Sequence, residues 1–217
     1  MAHTPDNEAA DVRRLIHELN NLLAVLHGHA EALSRSLDGE DPRRKHLDGI
    51  YDVLNRSTES VRRVSAAING CVPELTPLSA PPVSMQGTET VLLVDDEAAL
   101  RAVTGRFLGM NGYKVLEAGN AEEALAKFDG VGAEVDALVT DLMMEGMNGA
   151  ELARRLRDRR PGLKVLFLSG HGVAEMRRHT GEEPEENFLT KPFRPRDLLL
   201  RLRRVLDAAT ADVAESG

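Results

Sequence analysis

Val91-Leu92-Leu93-Val94-Asp95-Asp96-Glu97 sets four apolar, partly β-branched residues directly before three carboxylates. This is the pattern of a buried strand that ends in an acidic mouth. Two adjacent Asp side chains in such a half-buried place repel. At roughly 5 Å and an effective dielectric of about 20, a like pair costs on the order of 3 kcal/mol. A hard divalent cation would remove that cost. Other apolar stretches end in the same manner: Val135 to Thr140 runs into Asp141, Leu163 to Leu168 into Ser169, and Asn187 to Thr190 into Lys191. Groups at the carboxyl ends of strands in an open α/β sheet converge in one crevice. Three acids, a hydroxyl and an ammonium are therefore expected in one pocket.

Taken together and in this order, these residues resemble the receiver domain of two-component response regulators, over roughly Thr88 to Asp207. The resemblance rests on Asp95-Asp96 after the first strand, Asp141 in Val139-Thr140-Asp141-Leu142-Met143-Met144, Ser169-Gly170, and Lys191-Pro192-Phe193. It implies a flavodoxin-like, doubly wound five-stranded parallel sheet of order 2-1-3-4-5. It also implies one Mg²⁺ held by Asp95, Asp96, Asp141 and the Met143 carbonyl, with Asp96 and Asp141 as direct ligands. Hard oxygen donors suit that ion. Asp141 would be the nucleophile that takes a phosphoryl group in line from a phosphohistidine. Lys191 and the metal would neutralise charge on the transferring group, and Ser169 would hydrogen-bond it. The Lys191-Pro192 bond is expected to be cis, as in receivers generally, and Phe188 matches the family's switch aromatic, with a plain core Phe as the alternative. One position departs from the family: four residues after the acceptor, where Pro is frequent, stands Glu145.

The remainder of this half alternates strand and helix as the fold requires. Helices are expected over Ala98 to Met110, Ala121 to Phe128, Ala150 to Arg159, Val173 to His179 and Pro195 to Ala208, with a second strand over Lys114 to Ala118. Asp129-Gly130-Val131-Gly132 reads as a loop without nucleotide-box spacing. A Mg²⁺-dependent phosphatase of the haloacid dehalogenase type would want Asp-x-Asp after its first strand, and the adjacent Asp95-Asp96 argues against it.

The N-terminal part is helical by periodicity. Thr4-Pro5 with Asp6 and Glu8 has the chemistry of a helix start. Val12, Leu15, Leu19, Leu22, Leu26, His29 and Leu33 then recur at spacings of three and four, widened by Ile16, Leu23 and Ala30. Leu37 to Pro42 breaks the helix, and Leu47, Ile50, Leu54, Ser57, Val61, Val64 and Ile68 resume the rhythm up to Asn69-Gly70. Two helices with a short loop form an antiparallel hairpin whose stripes are too wide for one partner to cover, so a dimeric four-helix bundle is expected. In this register His17 falls at the outermost position, His27 at b and His29 at d, where a packed histidine is expected.

His17-Glu18-Leu19-Asn20-Asn21-Leu22-Leu23 resembles the H-box of the dimerisation and histidine-phosphotransfer domain of sensor kinases, over roughly residues 8 to 70. The resemblance implies that His17 is the phosphohistidine site and Glu18 the acid that orients or deprotonates it. Asn21, one helical turn on, matches the family's phosphatase amide. No segment resembles the kinase ATP-binding domain, so phosphoryl groups are expected from outside, from a sensor histidine kinase.

The domain plan is thus a hairpin over 1–70, a Pro-rich linker over 71–87 with Pro73, Pro77, Pro81 and Pro82, and a receiver over 88–210. The net charge of −8 is spread over both parts: residues 1–87 hold 9 Lys/Arg against 12 Asp/Glu, and residues 88–217 hold 18 against 23. Neither part is a basic nucleic-acid binder. Cys71 stands alone, which excludes an intrachain disulfide. With no signal peptide and no apolar run near 18 residues, a cytoplasmic protein off the membrane is expected. Its expected function is phosphorelay signalling between Asp141 and His17 on this or another receiver. The alternatives are a phosphatase acting through Asn21, and a dimeric receiver adaptor whose hairpin is only structural.

Overall fold

The computed structural model describes residues 5–38, 41–69, 85–131, 134–170 and 187–208. The expected helix over Val173 to His179 and most of the Pro-rich linker lie outside them. Among the described residues no helix is long and apolar enough to cross a membrane.

Two helices come first, α1 (Pro5–Ser36) and α2 (Arg44–Asn69). Arg44 closes the turn between them, its guanidinium donating to the carbonyls of Ser34, Leu37 and Asp38 at 3.2, 2.7 and 2.8 Å. Carbonyls at a helix end lack intrahelical partners, and the guanidinium supplies them. The seam between the helices is a heptad ladder: Leu23, Ala30 and Leu37 face Leu47, Leu54 and Val61, with Ile16 and Tyr51 at its edges. A repeat of seven keeps one stripe on one partner. Tyr51 ties the seam by donating to Glu31 Oε2 at 2.9 Å.

The register expected from sequence is corrected here. The ladder of Val12, Leu19, Leu26 and Leu33, with Leu15 and Leu22, is not the seam but an exposed stripe, 40–61% open to solvent. His29, expected to be packed, is exposed, whereas His27 is buried and bonds Leu23 O through Nδ1 at 3.0 Å. The physical reason is that α1 carries two adjacent heptad ladders, and a single hairpin partner satisfies only one.

The second unit is built from β1 (Thr90–Val94), α3 (Ala98–Met110), β2 (Lys114–Ala118), α4 (Ala121–Val131), β3 (Ala137–Asp141), α5 (Gly149–Arg159), β4 (Lys164–Ser169), β5 (Phe188–Thr190) and α6 (Pro195–Asp207). The strands pair in parallel in the order β2-β1-β3-β4-β5. Alternation along β1 sends Leu92 and Val94 to one face, against α4 and α5, and Val91 and Leu93 to the other, against α3 and α6. Both faces are covered, which is why the central strands are apolar throughout. Of the segment read as a loop at Asp129-Gly130-Val131-Gly132, the first three residues are the last turn of α4, since one glycine at a helix end costs little. Met85 and Gly87, expected in the linker, lie against this unit: Met85 packs on the α3/α6 core and Gly87 N bonds Asn111 O at 3.1 Å.

The two units touch through a third face of α1. Ala24 and Gly28, four residues apart, lie against α3 and the start of α6, and Asn20, one turn earlier, lies beside Gly170. At the far end Arg35 donates to Asn111 Oδ1 at 3.3 Å and stacks 5.1 Å above the Phe107 ring. From α2, Arg62 reaches Pro192 O at 2.8 Å.

The loop after β3, where Glu145 stands, is held without a proline. Gly146 takes φ +78°, Gly149 N bonds Leu142 O at 3.0 Å, and the Asn148 side chain caps α5 by accepting from Glu151 N at 2.8 Å. Asn148→Ala is expected to cost about 1 kcal/mol, read as a lower urea midpoint of the α/β unit at unchanged slope. No change in midpoint would mean that the cap is idle.

Candidate functional site

Asp95 is the first residue past β1, Asp141 ends β3, Ser169 ends β4 and Lys191 follows β5. Parallel strands deliver all four to one edge of the sheet. Asp95, Asp141, Ser169 and Lys191 are each 1% exposed or less, whereas Asp96 is open. The Lys191 ammonium lies between two carboxylates, 2.9 Å from Asp95 Oδ2 and 2.6 Å from Asp141 Oδ2. The other oxygens accept backbone bonds: Asp95 Oδ1 from Glu97 N at 2.9 Å and Asp141 Oδ1 from Met143 N at 3.1 Å. The Lys191-Pro192 peptide is cis, as expected. Phe188 is buried in the core against the α4/α5 side.

Burial pushes the Asp141 carboxyl above its usual range; Lys191 works against this and Asp95 adds to it. Burial alone would lower the Lys191 pKa, but Asp141 and Asp95 outweigh it and hold the ammonium above the ordinary lysine range. One cation therefore faces two buried anions, with Asp96 adding a third at the mouth. The donor set fits a divalent cation. One carboxylate oxygen from each of Asp95, Asp96 and Asp141 lies within 4.8 Å of the others. An octahedral ion with bonds of 2.0–2.1 Å needs ligand atoms about 3 to 4 Å apart, a small adjustment away.

The second group of expected residues meets this edge from the hairpin. His17 is half-buried, not outermost as its register implied. A methyl placed on Gly170, next after Ser169, would lie 3.1 Å from His17 Nδ1 and 3.7 Å from Asn20 Nδ2. The α/β unit has closed over a face that the helical repeat alone leaves open. Asn21 is buried and its Nδ2 donates to His17 Nε2 at 3.2 Å. In that amide orientation Nε2 carries the lone pair. Glu18, expected on the imidazole, is 57% exposed and pairs with Arg14 at 3.5 Å, because position i+1 on a helix points about 100° away.

Asn20, Gly28 and Arg62 were not given a role from the sequence. Asn20 is fully buried, and neither polar atom of its side chain has a hydrogen-bond partner. Gly28 did carry a signal. A glycine deep inside a 32-residue helix costs about 1 kcal/mol against alanine, which flags a close approach.

The comparisons agree with the α/β geometry. The family model described as response regulator receiver domain matches residues 91–203. Sensor kinase CckA of Brucella abortus is 37% identical over 57% of this chain and 13% of its own length. The transcriptional regulatory protein TrcR of Mycobacterium tuberculosis is 36% identical over 67% of this chain and 53% of its own. The chain thus spans about half of that regulator and a small part of the kinase. Among solved structures, a CheY-like response regulator receiver domain protein from Methanospirillum hungatei shares 30% identity at a TM-score of 0.50, covering 56% of this chain and 95% of that one.

Removing the cation from the buried triad isolates its energetics. Lys191→Ala is expected to destabilise the α/β unit by about 3–5 kcal/mol at neutral pH. The deficit should shrink as pH falls through the carboxylate range and protonation relieves the Asp95/Asp141 repulsion. In the native protein the folded Lys191 pKa is raised. Its stabilisation is therefore complete below the ordinary lysine pKa and lost as pH rises through the higher folded value. Thermal melts of both proteins across pH test this, and a pH-independent difference would refute it.

Proposed function

We propose, from the premise that the chain belongs to the response regulator receiver family over residues 91–203, that it is a phosphorelay protein. Asp141 accepts a phosphoryl group, and His17 on the hairpin exchanges phosphoryl groups with a receiver. The donor is a phosphohistidine of a sensor histidine kinase. In the forward step the P–N bond of the donor breaks and a P–O bond to Asp141 forms. In the return step the lone pair of a His17 ring nitrogen attacks phosphorus, the P–O bond to Asp141 breaks and the carboxylate leaves.

The single observation that carries this reading is the His17 ring beside Gly170, one residue past Ser169 at the acceptor's edge. This neighbourhood supports reading His17, among the histidines of the hairpin, as the one that exchanges phosphoryl groups. Lys191, already on Asp141 Oδ2, stabilises the added phosphoryl oxygens, and Ser169 is positioned to donate to them. Asp95, Asp96, Asp141 and the Met143 carbonyl would hold Mg²⁺, which when bound neutralises charge on the transferring group. A second reading has its own observation. Asn21 Nδ2 sits on His17 Nε2, and the same amide would orient a water for hydrolysis of a partner receiver's phospho-aspartate.

The hairpin is further read as a homodimer. Its open stripe of Val12, Leu15, Leu19, Leu22, Leu26 and Leu33 continues into Ile50, Val53 and Val64 on α2, around a groove of about 540 Å³. A second copy presents the same self-complementary surface, and each leucine it buries contributes roughly 1.5–3 kcal/mol at full burial. The adaptor reading keeps only this dimer.

Three measurements separate these readings. A small phosphodonor is expected to label Asp141 only with a divalent cation, and a phosphate-affinity band that survives Asp141→Asn would overturn the assignment. With phosphorylated receiver, His17→Ala is expected to abolish acid-labile phosphohistidine while Asn21→Ala spares it. If instead Asn21→Ala slows phosphate release by about 10² to 10⁴-fold, the phosphatase reading holds, and no change in either product leaves the adaptor. By light scattering the full chain should be a dimer that Leu22→Lys converts to a monomer; a native monomer at micromolar concentration removes the bundle.

A further inference from the structure

We infer that the resident partner of the hairpin is the receiver of its own chain. It is docked through α3 and the start of α6 and anchored at Gly28, so an outside phosphotransfer partner reaches that face only by displacing the hairpin. For its signalling consequence this rests on the relay reading; the docking itself does not.

Gly28 carries the argument. Its backbone lies so close to α3 that a methyl there would overlap Val103 Cγ1 deep inside van der Waals distance, while Val103 Cβ would stay 3.5 Å away. A side chain there requires one methyl group of one receiver residue to move. Nothing in the hairpin's own seam asks for glycine, because Gly28 is not on the Leu23-Ala30-Leu37 ladder. A helix former such as alanine would strengthen α1. The position is thus costly for the hairpin alone and matched to the receiver.

The two ends of the contact differ in kind. At the anchor Ala24 and Gly28 meet Leu100, Phe107, Phe193 and Leu198, an apolar contact that gains by desolvation. Near the pocket, the fully buried Asn20 amide has no partner for either polar atom. An unsatisfied buried amide destabilises the contact that buries it. The contact is firm at Gly28 and weak beside His17, where opening admits another histidine or water.

Covalent connection decides the competition. Tethered partners experience an effective concentration of about 1 mM. A foreign hairpin of equal intrinsic affinity at about 10 µM would then hold only about 1% of the receivers. Discrimination against other partners needs no extra contact.

The test uses the full chain with Cys71→Ser and the reporter Thr104→Cys. Thr104 is 5% exposed and lines the contact with Ala24 and Gly28. Gly28→Ala should speed thiol labelling at least tenfold with helicity retained by circular dichroism. Adding Val103→Ala removes the overlapping methyl and should restore slow labelling. Labelling of Gly28→Ala at the parent rate, or no rescue by the pair, overturns the inference. A Gly28→Ala reporter chain co-assembled with excess parent chain lacking the reporter should remain fast. If the parent's hairpin protects it, docking is between copies and the own-chain assignment falls. Protection without any phosphohistidine removes the relay and leaves the docking; phosphohistidine with an unprotected reporter does the reverse.

Discussion

The ammonium of Lys191 between Asp95 and Asp141 is the contact on which the acceptor edge depends. Each of the three groups comes from a different strand end, so their meeting requires β1, β3 and β5 to be in register at their carboxyl termini. None would stay charged alone at this depth, since an unpaired buried ion costs several kcal/mol. One positive charge against two negative ones also leaves the pocket anionic. Burial, with Asp95 adding to it, lifts the Asp141 carboxyl, and the anionic surplus gives the edge its capacity for a divalent cation. Stability and reactivity thus share one charge arrangement.

The hairpin divides the surface of α1 among separate tasks. One heptad ladder closes on α2, an adjacent ladder stays open, and the Asn20-Ala24-Gly28 line lies on the receiver. A helix has room for three such stripes because residues spaced by three, four or seven share a face. His17 and Asn21 fall beside the third line. The Asn21 bond to His17 Nε2 is made within α1 itself, one helical turn apart, whereas the neighbourhood of the His17 ring and Gly170 comes from the receiver.

The acceptor pocket was legible because its signal is one-dimensional. Strand, then acid; strand, then hydroxyl; strand, then lysine: chain order and parallel pairing suffice to bring these ends together. The boundaries between α3 and β2 and after β2 were readable for a similarly local reason, being set by Asn111-Gly112 and Gly119-Asn120. The histidine face was not. Val12, Leu19, Leu26 and Leu33 are as apolar and as regularly spaced as Leu23, Ala30 and Leu37, so hydrophobicity does not say which ladder is the seam. The wrong choice rotated His17 outward and His29 inward.

By itself, then, the amino-acid sequence determined the fold of the receiver, the residues of its acidic pocket and the existence of the hairpin, because periodicity and strand-end chemistry are local properties of the chain. Only the tertiary structure decided which stripe of α1 meets which neighbour. Several stripes are nearly equal in apolar content. The choice falls to close packing between distant segments, a methyl of Val103 against the bare backbone of Gly28 and the His17 ring against Gly170, and sterics of that kind exist only once the two units are brought together.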